Sequence, residues 1–168
     1  MPSDHTAAIT LPSETETLVT RQFAFPPELL FEMWTDPAHV PNWYGMRAFI
    51  MSDCQIDLRV GGKWRWAQRD FEGREIAFSG VYREIERPRL LVFTEQFEAL
   101  PDSEYVVTMR FEERDGGTFL TTHMAYQSRE HRDGHLQSGM EEGTTAVYEQ
   151  LDEAMAAITE TEDRRSSE

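Results

Sequence analysis

The hydrophobic period of this chain switches to strict alternation near Cys54 and back to helical spacing near Leu136, and those switches restrict its fold more than any other feature. Over Cys54-Gln55-Ile56-Asp57-Leu58-Arg59-Val60 every even position is apolar or a thiol and every odd position is polar. Successive strand side chains point to opposite faces, so the pattern predicts a strand with one buried and one wet face. Gly61-Gly62 supplies a turn, and Lys63-Trp64-Arg65-Trp66 alternates again with both indoles on one side. Further strands are predicted from about Glu75 to Ile85, Leu90 to Phe97, Tyr105 to Phe111 and Thr118 to Tyr126. Asp115-Gly116-Gly117 forms a hairpin turn between the last two. Leu136, Met140, Val147, Leu151, Ala154 and Ile158 then recur at spacings of three, four or seven, the stripe of one long helix.

Before the alternating region, Thr17 to Phe25 reads as a strand that Pro26-Pro27 stops. Pro27 suits a first helical position, where its missing N–H is not needed, and Glu28 sits well at the positive helix end. Leu30, Phe31 and Trp34 follow at helical spacing. Asp36-Pro37 ends this helix and opens a second short one near Trp43. A bent antiparallel sheet must cover its inner face, and only the terminal helix is long enough to do so. The predicted class is α+β with a helix-grip architecture: about six to seven strands gripping a long C-terminal helix, with two short helices after the first strand. The domain is expected over 14–158, with flexible polar tails at 1–13 and 159–168. Leu136, Met140, Val147 and Leu151 are all expected to be buried against the sheet.

Charge narrows the partners. Sixteen basic residues face 31 acidic ones, for a net charge of -15. With the arginines dispersed among acids, such a chain repels phosphate backbones, so no nucleic-acid partner is expected. Lys63 is the sole lysine and Cys54 the sole cysteine, which excludes an internal disulfide and a thiolate zinc site. No apolar run is long enough for a membrane span, and the N-terminus lacks the pattern of a secretory signal. A cytoplasmic location and a monomer or weak homodimer are the resulting expectations.

The motifs resemble those of the START-like (SRPBCC) superfamily, within it the group related to activators of the heat-shock-protein-90 ATPase. The resemblance runs through Arg21-Gln22-Phe23, Trp34-Thr35-Asp36-Pro37, Trp43-Tyr44-Gly45, Asp57 to Trp64, Gly80, Arg87-Pro88-Arg89-Leu90, Gly116-Gly117-Thr118, Ser138-Gly139-Met140 and Gly143. It implies the helix-grip fold with a hydrophobic cavity. It also implies a choice of roles: ligand carrier, cyclase-like enzyme, or stress-response module contacting a chaperone.

The candidate ligand-binding residues are Trp34, Trp64, Trp66, Phe78, Phe93, Phe111, Met124, Met140, Gly143 and Val147. Each aromatic alone is better explained as core, but a curved sheet under one helix is hard to fill, so the group is expected to line a cavity for a small apolar or amphipathic molecule. Gly143 interrupts the helical stripe where alanine would be better by about 1 kcal/mol, which points to close approach or to space for a ligand. Glu95 alternates with Phe93 and Phe97 and is the best inward carboxylate, while Arg21 on the face of Val19 and Phe23 requires an acidic partner. No catalytic residue, metal or cofactor is assigned. His131 and His135 are four apart, but without a third ligand they read as a solvated helix start. His123 reads as outward-facing.

Overall fold

The computed structural model describes residues 6–45 and 49–167. Eight strands form one antiparallel sheet: β1 (Ala8–Thr10), β2 (Glu16–Phe23), β3 (Ile50–Ile56), β4 (Lys63–Arg69), β5 (Glu75–Glu86), β6 (Leu90–Phe97), β7 (Tyr105–Arg114) and β8 (Gly117–Ala125). Their order is β1-β2-β8-β7-β6-β5-β4-β3, so β3 to β8 meander and β2 closes against the last strand. α1 (Pro27–Thr35) and a 3-10 turn (Val40–Asn42) connect β2 to β3, and α2 (Arg129–Gln137) and α3 (Met140–Ser166) follow β8.

The local chemistry explains the first crossing. Pro26 accepts the first helical N–H groups, from Leu29 and Leu30, and Pro27 occupies the first turn of α1. Leu30, Phe31 and Met33 are fully buried along it. The Trp43 indole donates to the Met33 carbonyl at 2.9 Å and folds the 3-10 turn back onto α1. At Gly80 the backbone of β6 comes so close that a Cβ would lie 1.7 Å from the Thr94 carbonyl oxygen. That oxygen accepts the Trp64 indole N–H at 3.1 Å, and the β5–β6 register shifts a little further on, between Tyr82 and Glu84. Only glycine fits this close approach of β5 to β6.

The strand expected over Cys54–Val60 stops at Ile56, where the chain turns toward Gly61-Gly62 and leaves Val60 67% exposed; the structure departs from the sequence expectation in three further places. First, the single long helix is two. Gly139 takes φ +92, a left-handed value that ends one helix and opens the next. Leu136 therefore belongs to α2 and is half-buried, as is Val147, while Met140 and Leu151 are buried. The buried side of α3 is carried by Met140, Tyr148, Leu151 and Met155. Second, α3 runs on to Ser166, beyond the boundary expected at 158. Its last turns contain no glycine or proline, and Arg164 and Arg165 complement the negative helix end. Third, residues 8–10 in the expected N-terminal tail pair with β2 as a short edge strand.

Arg21 has the partner it requires. Only 4% exposed, it makes a two-pronged pair with Asp152 of α3, at 2.9 and 2.6 Å, with its guanidinium 4.4 Å from the Phe23 ring centroid. On the outer face Arg65 reaches Asp53, Glu75 and Glu98 at 2.9, 3.2 and 3.0 Å, joining β3, β4, β5 and the end of β6. No helix among the described residues is long and apolar enough to cross a membrane.

Candidate ligand-binding cavity

Between the concave side of the sheet and the start of α3 lies a cavity of about 380 Å³. The alternation that builds the strands also builds its walls. Inward positions of β7 give Tyr105, Val107 and Met109; β8 gives Thr122 and Met124; β4 gives Trp66 and Gln68; β5 and β6 give Phe78, Phe93 and Glu95. Trp34 of α1 and Trp43 and Tyr44 after the 3-10 turn close one side. His135 of α2 and Met140, Gly143, Val147 and Tyr148 of α3 close another.

Eight of the ten residues singled out by sequence, Trp34, Trp66, Phe78, Phe93, Met124, Met140, Gly143 and Val147, border this one space. Trp64 is displaced into an annex of about 30 Å³ that shares Trp34, Trp66, Phe93 and Glu95 with the main cavity. Phe111 lies outside, because α1 covers the far end of β7 and its Phe31 meets the Phe111 ring edge-on at 5.4 Å. Gly143 is exposed rather than on the buried stripe, and nothing lies within 4 Å of a Cβ built on it. It borders the cavity without relieving a packing clash. A larger depression, about 680 Å³, runs beside the second half of α3. Gln150, Glu153, Glu162 and Arg165 give it a more polar lining.

One end of the cavity is polar. Glu95 accepts a hydrogen bond from the Tyr105 hydroxyl. The Tyr105 ring leans on Tyr126 with centroids 5.0 Å apart, and the Tyr126 hydroxyl meets His135 Nδ1 at 2.5 Å. His131 packs edge-on against both tyrosines, at 5.7 and 5.1 Å. The two histidines thus pack against tyrosine rings instead of forming a solvated helix start. Ser128, which caps α2 by accepting the His131 N–H at 3.1 Å, aims that helix at the cluster. His123 sits apart, half-exposed beside Glu16 on β2.

Burial governs the protonation of this end. It pushes the Glu95 carboxyl up to about 7, against the opposing hydrogen bond from Tyr105. It pushes His135 down to about 4, with His131 adding to the effect, so the imidazole is neutral at physiological pH. Burial likewise raises the Tyr105 and Tyr44 phenols. The Cys54 thiol is pushed up to about 11 and offers no thiolate. The cavity therefore presents aromatic and aliphatic walls and one carboxyl near its midpoint at neutral pH.

Sequence reasoning missed Trp43, Tyr44, Gln68, Tyr105, Thr122, His135 and Tyr148. Tyr105 was accessible to it, being in phase with Val107 and Met109 on β7. Trp43 and Tyr44 were not, since an irregular turn carries no period.

An antiparallel sheet curved around a C-terminal helix, with a cavity between them, defines a helix-grip domain. The chain belongs to the Activator of Hsp90 ATPase homolog 1-like protein family, whose model matches residues 24–156. A crystal structure of a Rhodobacter sphaeroides protein is similar at 30% identity and a TM-score of 0.86, covering 90% of this chain and 99% of that one. The Mycobacterium smegmatis protein Ms6760 (23% identity, TM-score 0.80, covering 90% and 98%) has the same fold. So does an AHSA1-like protein from Aeromonas hydrophila, at 19% identity and a TM-score of 0.69, covering 83% and 93%. No curated protein matches the sequence.

Proposed function

We propose that this domain is a cytoplasmic binding module for a small amphipathic molecule held between sheet and α3. The observation that carries the reading is the cavity's asymmetry. Trp66, Phe78, Met124, Met140 and Val147 offer an apolar bed, and the Glu95–Tyr105 pair with Tyr126 and His135 offers one polar end. Ligand sites combine apolar walls with a few convergent polar groups in this way. Native mass spectrometry of protein purified from its own host tests the reading, with a co-purifying small molecule as the expected result. Failure to find one, together with no binding of an apolar fluorescent probe that Gly143→Leu weakens, refutes it.

A second reading, an enzyme that moves a proton on the bound molecule, is favoured by one observation. Glu95 is held near neutrality in its proton affinity, where a general acid or base is most effective. Recovery of the co-purified molecule chemically changed after incubation with wild-type protein, and unchanged with Glu95→Gln, supports it. The chaperone role rests on the family's description alone.

A further inference from the structure

The Glu95 carboxylate is unbalanced. Tyr105 satisfies one of its acceptor positions, and a carboxylate has about four. Among the described residues no arginine, lysine or histidine forms an ion pair with it. The contrast lies within the same core: Arg21, more deeply buried than the half-buried Glu95, is matched by Asp152 with two short bonds. Around Glu95, Trp34, Trp66 and Phe93 share the annex with it, and ring faces attract cations. His135, neutral at this pH, supplies no competing positive charge. A charge of -15 over the whole chain raises the local concentration of cations further.

Resting on the reading that the cavity binds an amphipathic molecule, we propose that its ligand is a cationic amine. Its ammonium group pairs with Glu95 beside Trp34, Trp66 and Phe93, and its apolar body extends toward Met124, Met140 and Val147. An ammonium completes the acceptor positions that Tyr105 leaves open. A carboxylate ligand is repelled by Glu95, and an alcohol gains one hydrogen bond without the opposite charge that an ammonium brings.

The proposal sets a pH dependence. Tyr44, Tyr105 and His135 line the cavity with Glu95, Tyr82 lines the annex, and Tyr126 and His131 pack behind Tyr105; burial raises the four phenols and lowers both histidines. Between pH 6 and 8 Glu95 changes charge, while these phenols and His135 do not. Amine affinity therefore rises by about tenfold over that interval as the carboxyl ionises, while the amine itself stays protonated to roughly pH 10.

The experiment titrates n-octylamine, n-octanol and n-octanoate into the wild type and Glu95→Gln at pH 6 and pH 8, following tryptophan fluorescence and calorimetry, with circular dichroism as the folding check. Wild type is expected to bind octylamine about tenfold or more tighter than octanol at pH 8, with octanoate weakest. Glu95→Gln is expected to lose that preference and keep its affinity for octanol. Octanol or octanoate binding as tightly as octylamine to wild type overturns the amine assignment while leaving the binding module intact, and this arm needs no variant to fold. A preference unchanged in Glu95→Gln overturns it as well. No binding by any of the three overturns both the assignment and the reading beneath it.

Discussion

Replacing Asp152 with asparagine isolates the most expensive polar contact in the core. Arg21 is 4% exposed, and the Asp152 side chain is 29% exposed. The substitution leaves the guanidinium enclosed without a counter-charge, which in buried pairs costs about 3–5 kcal/mol. Two features reduce that figure here. Asp152 is partly wet, so some of its charge is already screened, and the Phe23 face 4.4 Å away continues to attract the cation. The expected loss is about 3 kcal/mol, a fall in Tm of roughly 6–12 °C for a domain of this size. Urea denaturation at constant m-value measures it. The diagnostic partner is the double change Arg21→Met with Asp152→Leu, which removes both charges and keeps most of the volume. Replacing a buried pair in this way is often neutral or stabilising, so the double variant should recover most of the loss. If Asp152→Asn costs under about 1 kcal/mol, or the double variant is no better than the single one, a buried charge held by one partner is the wrong description of this contact.

Further outcomes follow from other sites. Gly143→Ala should raise stability by about 1 kcal/mol in thermal melts, since its Cβ enters open space within a helix. Gly143→Leu should keep that stability yet weaken binding of an apolar fluorescent probe by narrowing the cavity. Gly80→Ala should cost about 2–3 kcal/mol or more, measured by denaturation, because the new Cβ meets the Thr94 backbone rather than a movable side chain. For Glu95 the folded pKa is raised, so the folded state holds the proton more tightly than the unfolded one. Its contribution is complete below about pH 4.5 and is lost as pH rises through about 7. Glu95→Gln should therefore be more stable than wild type at pH 8, by up to about 3 kcal/mol and by less where cavity water solvates the carboxylate, with the difference vanishing near pH 4. A pH-independent difference between the two in denaturant titrations contradicts the assignment.

What was legible in the sequence is what has a period. The alternation at Trp64-Arg65-Trp66 and through Tyr105 to Phe111 placed the strands and most of the cavity's sheet wall. The stripe through Met140, Val147 and Leu151 placed the covering helix. The break at Gly139 was hidden because a glycine inside a helical pattern is ordinarily tolerated, and only its left-handed backbone ends α2. The exact buried side of α3 was misread because Gln150 is polar yet buried. Its amide donates to the carbonyls of Trp43 and Gly45 at 2.9 and 2.7 Å, contacts made across more than a hundred residues. His135 was misread for a similar reason: its neighbours in sequence are polar, while its neighbours in space are tyrosine rings. Glu95 could be marked as inward from alternation, but its lack of a cationic partner is visible only once the strands and α2 are assembled.

The strand order leaves the sheet open at two ends, and the two ends behave alike toward another chain. An unpaired edge is a template on which a foreign strand can zip. β1 offers three residues, enough for very few ladder bonds. β3 is longer, but its register shifts between Met51 and Asp53, and Asp53 is drawn toward Arg65. Neither edge can seat a long intruding segment, and copies carrying -15 each repel one another on approach. At high concentration this protein should therefore resist fibre growth through its sheet, and any self-association must proceed through side chains rather than through shared backbone.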